Sequence, residues 1–131
     1  MLLDTSGLYC FLDKAEPQHP QAVRLFTSAT ERITHNYILA ELVALASRRG
    51  LARQIVLDFL QEVDANPLVQ VVFVNLPLHR EAVGLLAKRR GKDWSFCAAV
   101  NFVVMEERNL QEALTTDRHF EQAGFVRLLR P

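Results

Sequence analysis

Val69-Gln70-Val71-Val72-Phe73-Val74 is a continuous apolar run broken only by Gln70, and Pro77 follows it at the start of a segment of helical period that runs to about Arg90, where Gly91 stops it. A short β-branched run bounded by prolines reads as a strand. A proline at the first turn and a glycine after the last turn delimit a helix. The segment is therefore a strand followed by a helix. Working outward, the same alternation recurs across the chain, which is the pattern of a parallel sheet flanked by helices.

Toward the N-terminus, Met1-Leu2-Leu3 reads as a first strand ending at Asp4, followed by a helix around Leu8–Leu12 and another opened by Pro20 with Ala22, Val23, Leu25 and Phe26 in helical register. Arg32-Ile33-Thr34 is a short second strand. A helix from about Asn36 to Arg49 ends at Gly50, and a second from about Leu51 to Ala65 precedes Pro67. Toward the C-terminus, the segment from Ser95 to about Arg108 is apolar almost all round, so it is expected to be the most buried helix, with Ser95 as its N-cap. Ala113-Leu114-Thr115-Thr116 reads as a strand ending at Asp117. A brief helix through Phe120 and Gln122 follows, then a last strand over Phe125–Leu129. The reading is one α/β domain over residues 1–131.

Composition agrees with a single compact domain: 131 residues, half of them hydrophobic, with 15 basic and 15 acidic side chains. Cys10 and Cys97 lie far apart and lack the spacing of a zinc site or redox pair, so buried thiols in a reducing cytosol are expected. No apolar run is long enough for a membrane span, and Met1-Leu2-Leu3-Asp4 has no signal-peptide character; a cytoplasmic protein is expected. Positive charge concentrates in Lys88-Arg89-Arg90-Gly91-Lys92 and in Arg48-Arg49 with Arg53. Such clusters either complement helix C-termini or face phosphate. His19, His35, His79 and His119 share no metal-ligand spacing. Trp94 reads as an anchor for its loop.

Sites in an open parallel sheet form beyond the carboxyl ends of its strands. Asp4, with Thr5 and Ser6 behind it, and Asp117, with Thr115 and Thr116 before it, follow two strands directly. Glu41 is the only charge between Asn36 and Ser47 and sits among apolar residues, where a desolvated carboxylate needs a cation or donors nearby. Asp93 lies just before the cap of the buried helix. If the four converge they make an oxygen-ligand cage for Mg²⁺ or Mn²⁺, suited to phosphoryl chemistry. Each also has a simpler reading: Asp4 as a strand end, Asp117 as a helix cap, Glu41 as the partner of an Arg, Asp93 as a loop acid.

Taken in order, Met1-Leu2-Leu3-Asp4-Thr5-Ser6, Thr34-His35-Asn36 with Glu41, Asp93-Trp94-Ser95-Phe96 and Leu114-Thr115-Thr116-Asp117-Arg118-His119-Phe120 resemble the PIN-domain family, especially its VapC-like toxin nucleases. The resemblance covers nearly the whole chain. It implies a PIN-like three-layer fold with a central parallel sheet flanked by helices, and a Mg²⁺- or Mn²⁺-dependent ribonuclease site. It also implies RNA as substrate, homodimers, and a small antitoxin as partner. By position, Asp4 is the first acid, Glu41 the second and Asp117 the last, with Thr5 or Ser6, Asn36, Ser95 and Thr116 in support. Arg118 and His119 follow the last acid, where they are placed to touch phosphate.

The family pattern Asp-Trp-Ser-x-x-Asp supplies its third acid at a position that is Ala98 in this chain, while Asp93 matches the accessory acid and joins the expected metal set of Asp4, Glu41 and Asp117. Two functions follow. One is a toxin-type endoribonuclease, weakened or silenced by Ala98. The other is a catalytically silent PIN module that binds RNA or a protein partner. A phosphoacceptor signalling domain built on Asp4 is disfavoured, because no lysine follows the late strand. Self-association is expected near Leu51–Ala65, whose Leu51, Ile55, Leu57, Phe59, Leu60 and Val63 exceed one inward-facing stripe.

Overall fold

The computed structural model describes all 131 residues and contains five strands and seven helices. β1 is Leu2–Leu3, and after Asp4 the chain turns directly into α1 (Thr5–Leu12) and then α2 (His19–Ser28). β2 (Ile33–His35) leads to α3 (Asn36–Arg49) and α4 (Arg53–Ala65), and β3 (Gln70–Val72) to α5 (Leu76–Lys88) and α6 (Phe96–Glu107). β4 (Glu112–Leu114), α7 (His119–Gln122) and β5 (Val126–Arg127) complete the domain.

All strand pairs are parallel, in the order β3-β2-β1-β4-β5. The chain winds outward from β1 to β3, then crosses back to place β4 on the other side of β1. Right-handed crossovers therefore put α1 to α4 on one face and α5 and α6 on the other, the expected three-layer architecture. The reversal of winding between β1 and β4 opens a crevice at their carboxyl ends, the place where α/β sheets bind ligands. Asp4 follows β1 and Asp117 lies three residues beyond β4, so topology alone brings them to that crevice.

Short strands suffice because both faces are covered. Leu2, Leu3, Ile33, Ala113 and Leu114 are fully or almost fully buried, and α6 buries Cys97 through Phe102 with Val104 and Met105, the all-round apolar helix read from the sequence. α1 lies so close to β4 that a Cβ on Gly7 would stand 1.9 Å from the Leu114 carbonyl oxygen. Only glycine allows that approach, and the approach sets Asp4 beside Thr115.

Several boundaries differ from expectation, each for a local reason. The strand expected over Val69–Val74 pairs only over Gln70–Val72, because it is a sheet edge and the Val74 N–H is taken by the Asn36 side chain at 2.7 Å. Helix α1 starts at Thr5 instead of near Leu8, with Asp4 as its N-cap residue. Gly50 closes α3 in a left-handed conformation (φ 74°) as expected, whereas α5 ends at Lys88, before Gly91.

Candidate active site

The crevice contains a pocket of about 320 Å³ lined by Asp4, Thr5, Ser6, Glu41, Leu45, Arg48, Ser95, Cys97, Ala98, Asn101 and Asp117. Three of the four expected acids thus share one cavity. A second cleft of about 400 Å³ beside Trp94, Phe102 and Phe125 is walled largely by apolar groups; there Trp94 packs edge-on against Phe102 and donates its indole N–H to Gln122. Glu81, Glu106, Glu107 and Arg89 also line that cleft, but they belong to α5, α6 and their ends and not to the loops at the carboxyl ends of the strands, so the acidic pocket at the switch point is the chemical centre.

Asp4 is buried (6% exposed) and, although it stands at the N-cap of α1, its carboxylate does not cap the helix. Oδ1 accepts the Asn101 side-chain amide at 3.0 Å, and Oδ2 accepts the Thr115 hydroxyl at 2.7 Å. Ser6 donates to Thr115 Oγ1 at 3.0 Å while accepting the Thr116 N–H at 3.0 Å, and the Asp117 N–H also donates to Thr115 Oγ1 at 3.0 Å. The loop that presents Asp117 is therefore bonded to the groups that hold Asp4. Burial raises the Asp4 carboxyl to about 6; hydrogen bonds from Thr115 and the Thr5 backbone oppose the rise, and the negative charges of Asp117 and Glu41 add to it.

Glu41 differs from its expected setting. Apolar neighbours flank it in sequence, but on α3 it faces the pocket rim and is exposed, so it bears no large desolvation cost. The cation anticipated near it is Arg48, two turns along the same helix and lining the same pocket. Arg49, by contrast, turns away to pair with Glu16 and lies over the Tyr9 ring. Asp117 accepts the His119 backbone N–H at 2.9 Å and has the His119 ring 3.3 Å away.

Ser95 caps α6 as expected, its hydroxyl accepting the Ala98 N–H at 3.0 Å. Ala98 is buried and lines the pocket in the first turn of α6, where the family pattern carries an acid. Asp93 does not join the pocket: it lies exposed before the cap, so the expectation that it belongs to the metal set is not met by its placement. Nor does Asn36, whose carboxamide instead holds the end of β3. Thr116 contributes only backbone: its N–H bonds Ser6 and its carbonyl accepts from Arg127. Arg118 is exposed and outside the lining.

The sequence reading missed Asn101 and the part played by His35. Asn101 is the one strongly polar side chain within the apolar run Phe96–Met105, which is the signal that could have found it. The chemistry of the donors suits a hard divalent cation: three carboxylates with hydroxyls beside them, around a cluster of negative charge that raises its own most buried member. The only soft donor, Cys97, has its thiol pushed up by burial and by Glu41 and Asp4. As the side chains stand, no three acidic, His or Cys groups are close enough to enclose one ion.

A family model for the PIN domain matches residues 1–126. The chain belongs to the PIN-domain family. Two curated relatives, both the 23S rRNA-specific endonuclease VapC20 of Mycobacterium tuberculosis (strains CDC 1551 / Oshkosh and ATCC 25618 / H37Rv), are 29% identical over 127 residues, spanning 96% of this chain and 95% of theirs. The crystal structure of M. tuberculosis VapC20, described as a sarcin-ricin loop cleaving toxin, matches with a TM-score of 0.87 at 30% identity, covering 99% of this chain and 98% of that one. This PIN domain is thus similar along its whole length to a toxin ribonuclease. None of its helices is long and apolar enough to cross a membrane.

Proposed function

We propose that this PIN domain is a toxin-type endoribonuclease whose site is the acidic pocket, with Asp4, Glu41 and Asp117 holding Mg²⁺ or Mn²⁺. The observation that carries the reading is the meeting of these three acids at the switch point of the sheet, in a chain that matches VapC20 end to end. PIN-domain nucleases generally use a divalent metal. Such an ion, when bound, lowers the pKa of a water and stabilises charge on the leaving oxygen of a phosphodiester. The chain's own share is orientation and charge. Asp4 is fixed by Asn101 and Thr115, Asp117 is fixed through its backbone to Thr115, and Arg48 offers the pocket a cation for a phosphate oxygen. His119, outside the pocket lining but with its ring 3.3 Å from Asp117, would supply a second phosphate contact in this reading.

A small antitoxin protein and a second copy of the chain are the partners this reading carries, in the cytoplasm. On α4, Val56, Phe59 and Val63 are buried while Ile55 and Leu57 are exposed, the apolar surplus on which self-association of this helix rests. A larger apolar exposure lies at Phe73 and Leu76.

Ala98 favours a second reading, a PIN module that binds RNA without cutting it. RNA cleavage in Mn²⁺, with a sarcin-ricin hairpin as probe and Asp4→Asn as control, separates the two. Mn²⁺-dependent cleavage lost in Asp4→Asn supports the nuclease. Retention of the hairpin without cleavage supports the silent module, and neither binding nor cleavage refutes both for this RNA.

A further inference from the structure

Asn101 lines the pocket and His35 lies buried behind it, 66 positions away in sequence; the proposed function uses Asn101 only as a holder of Asp4 and His35 not at all. His35 ends β2 and caps α3: its Nδ1 accepts the Ile38 N–H at 3.2 Å. A nitrogen that accepts leaves the other ring nitrogen to carry the proton in a neutral imidazole. Burial keeps this imidazole neutral, lowering it to about 4. Nε2–H therefore donates to Asn101 Oδ1, 2.6 Å away. That bond in turn decides which way the Asn101 carboxamide faces, and its amide nitrogen is left to donate to Asp4 Oδ1 at 3.0 Å. With the carboxamide reversed, an oxygen would face the Asp4 carboxylate and an N–H would face the Nε2–H of His35, so both contacts would repel.

From this one-directional chain, we infer that His35 and Asn101 are positioning residues that lock the Asp4 carboxylate in the orientation the pocket uses. The inference rests on the reading of Asp4 as a metal-facing acid. The relay starts from the backbone of α3, the helix that carries Glu41, and ends on the acid that follows β1, so it ties the placement of one acid to the helix bearing another. Partners that orient a metal's ligands through hydrogen bonds act in this way on affinity. Without the Asn101 amide, Oδ1 loses its side-chain donor, and the side-chain hydroxyls that remain, Thr115 at 2.7 Å and Ser6 at 3.4 Å, both bond Oδ2.

The test compares His35→Phe, His35→Gln, Asn101→Leu and the unaltered protein by two readouts, with thermal melting as a check that each is folded. The first is the exchange rate of the Asn101 side-chain amide protons, followed by NMR in metal-free protein. The second is Mn²⁺ affinity, read from free Mn²⁺ by electron paramagnetic resonance. His35→Phe is expected to speed amide exchange and weaken Mn²⁺ binding by about tenfold or more, Asn101→Leu to weaken binding similarly, and His35→Gln, which keeps an N–H donor, to recover most of both. Unchanged Mn²⁺ affinity in folded Asn101→Leu and His35→Phe overturns the inference. If the unaltered protein binds no Mn²⁺, the metal reading has failed instead. The relay is then judged on exchange alone: unaltered exchange in His35→Phe overturns it, and faster exchange restored by His35→Gln supports it.

Discussion

Asp4 and Glu41 line one pocket, yet Asp4 is sealed beneath donors from Asn101 and Thr115 while Glu41 stands exposed on α3 in no ion pair. The wall formed by β1, β4 and their loops is bonded to itself at every step: Ser6 to Thr115, Thr116 to Ser6, Asp117 to Thr115. The helical wall holds its carboxylate and its arginine on long side chains. The contrast separates two kinds of contribution. The sheet wall fixes geometry and bears the cost of burying charge, whereas the helical wall supplies charge that adjusts to whatever enters.

Breaking the sheet wall should have the largest effect. Gly7→Ala sets a Cβ against the Leu114 carbonyl, a backbone atom that cannot move aside, and should destabilise by about 3 kcal/mol, a fall in melting temperature of roughly 10 °C. Calorimetry on the folded fraction checks it, and an unchanged transition would mean that α1 is not held against β4.

Asp4→Asn sharpens the comparison through its pH dependence. Asp4 titrates near 6 in the folded protein against an ordinary value of 3.8, so its protonation favours folding below about pH 4 and that contribution is lost as pH rises through 6. Without metal, the stability of the asparagine variant relative to the unaltered protein should rise by about 2–3 kcal/mol between about pH 4 and pH 7.5, on top of a pH-independent cost of setting an amide donor against the donors of Asn101 or Thr115. His35 titrates in both proteins and drops out of the difference. Denaturant melts across that pH range read the result.

Glu41→Gln should have the smallest effect on stability, within about 0.5 kcal/mol as an exposed substitution. It should nevertheless weaken Mn²⁺ binding by about tenfold, because it removes an anionic donor. Loss of stability with intact Mn²⁺ binding would invert the roles assigned to the two walls.

These contrasts also mark what the sequence made legible. Asp4 and Asp117 could be found because strand ends and topology fix where they go, and Ser95 because a cap depends only on its neighbours. Gly50 was legible for the same local reason. Glu41 was located correctly but given the wrong environment, since apolar neighbours along a helix do not tell which way its polar edge turns. Asn101 and His35 meet Asp4 through contacts spanning 97 and 66 positions, which no local periodicity reports. The edge strand was overread because Asn36, far away in sequence, takes the N–H of Val74.

The central claim is that the acidic pocket is a cation-dependent nuclease site lacking one carboxylate at Ala98, and Ala98→Asp tests it most directly. Position 98 is the third residue of α6 after its Ser95 cap, where an acid completes a capping box and is favoured by the helix dipole. It also lines the same pocket as Asp4 and Asp117. Melting temperature with and without Mn²⁺, and RNA cleavage, are measured for both proteins. The account predicts that the variant melts lower than the unaltered chain without metal, through repulsion among like charges, and higher with Mn²⁺, and that it cleaves RNA faster. If Ala98→Asp gains neither Mn²⁺-dependent stability nor cleavage, position 98 is not the missing ligand and the nuclease account is contradicted.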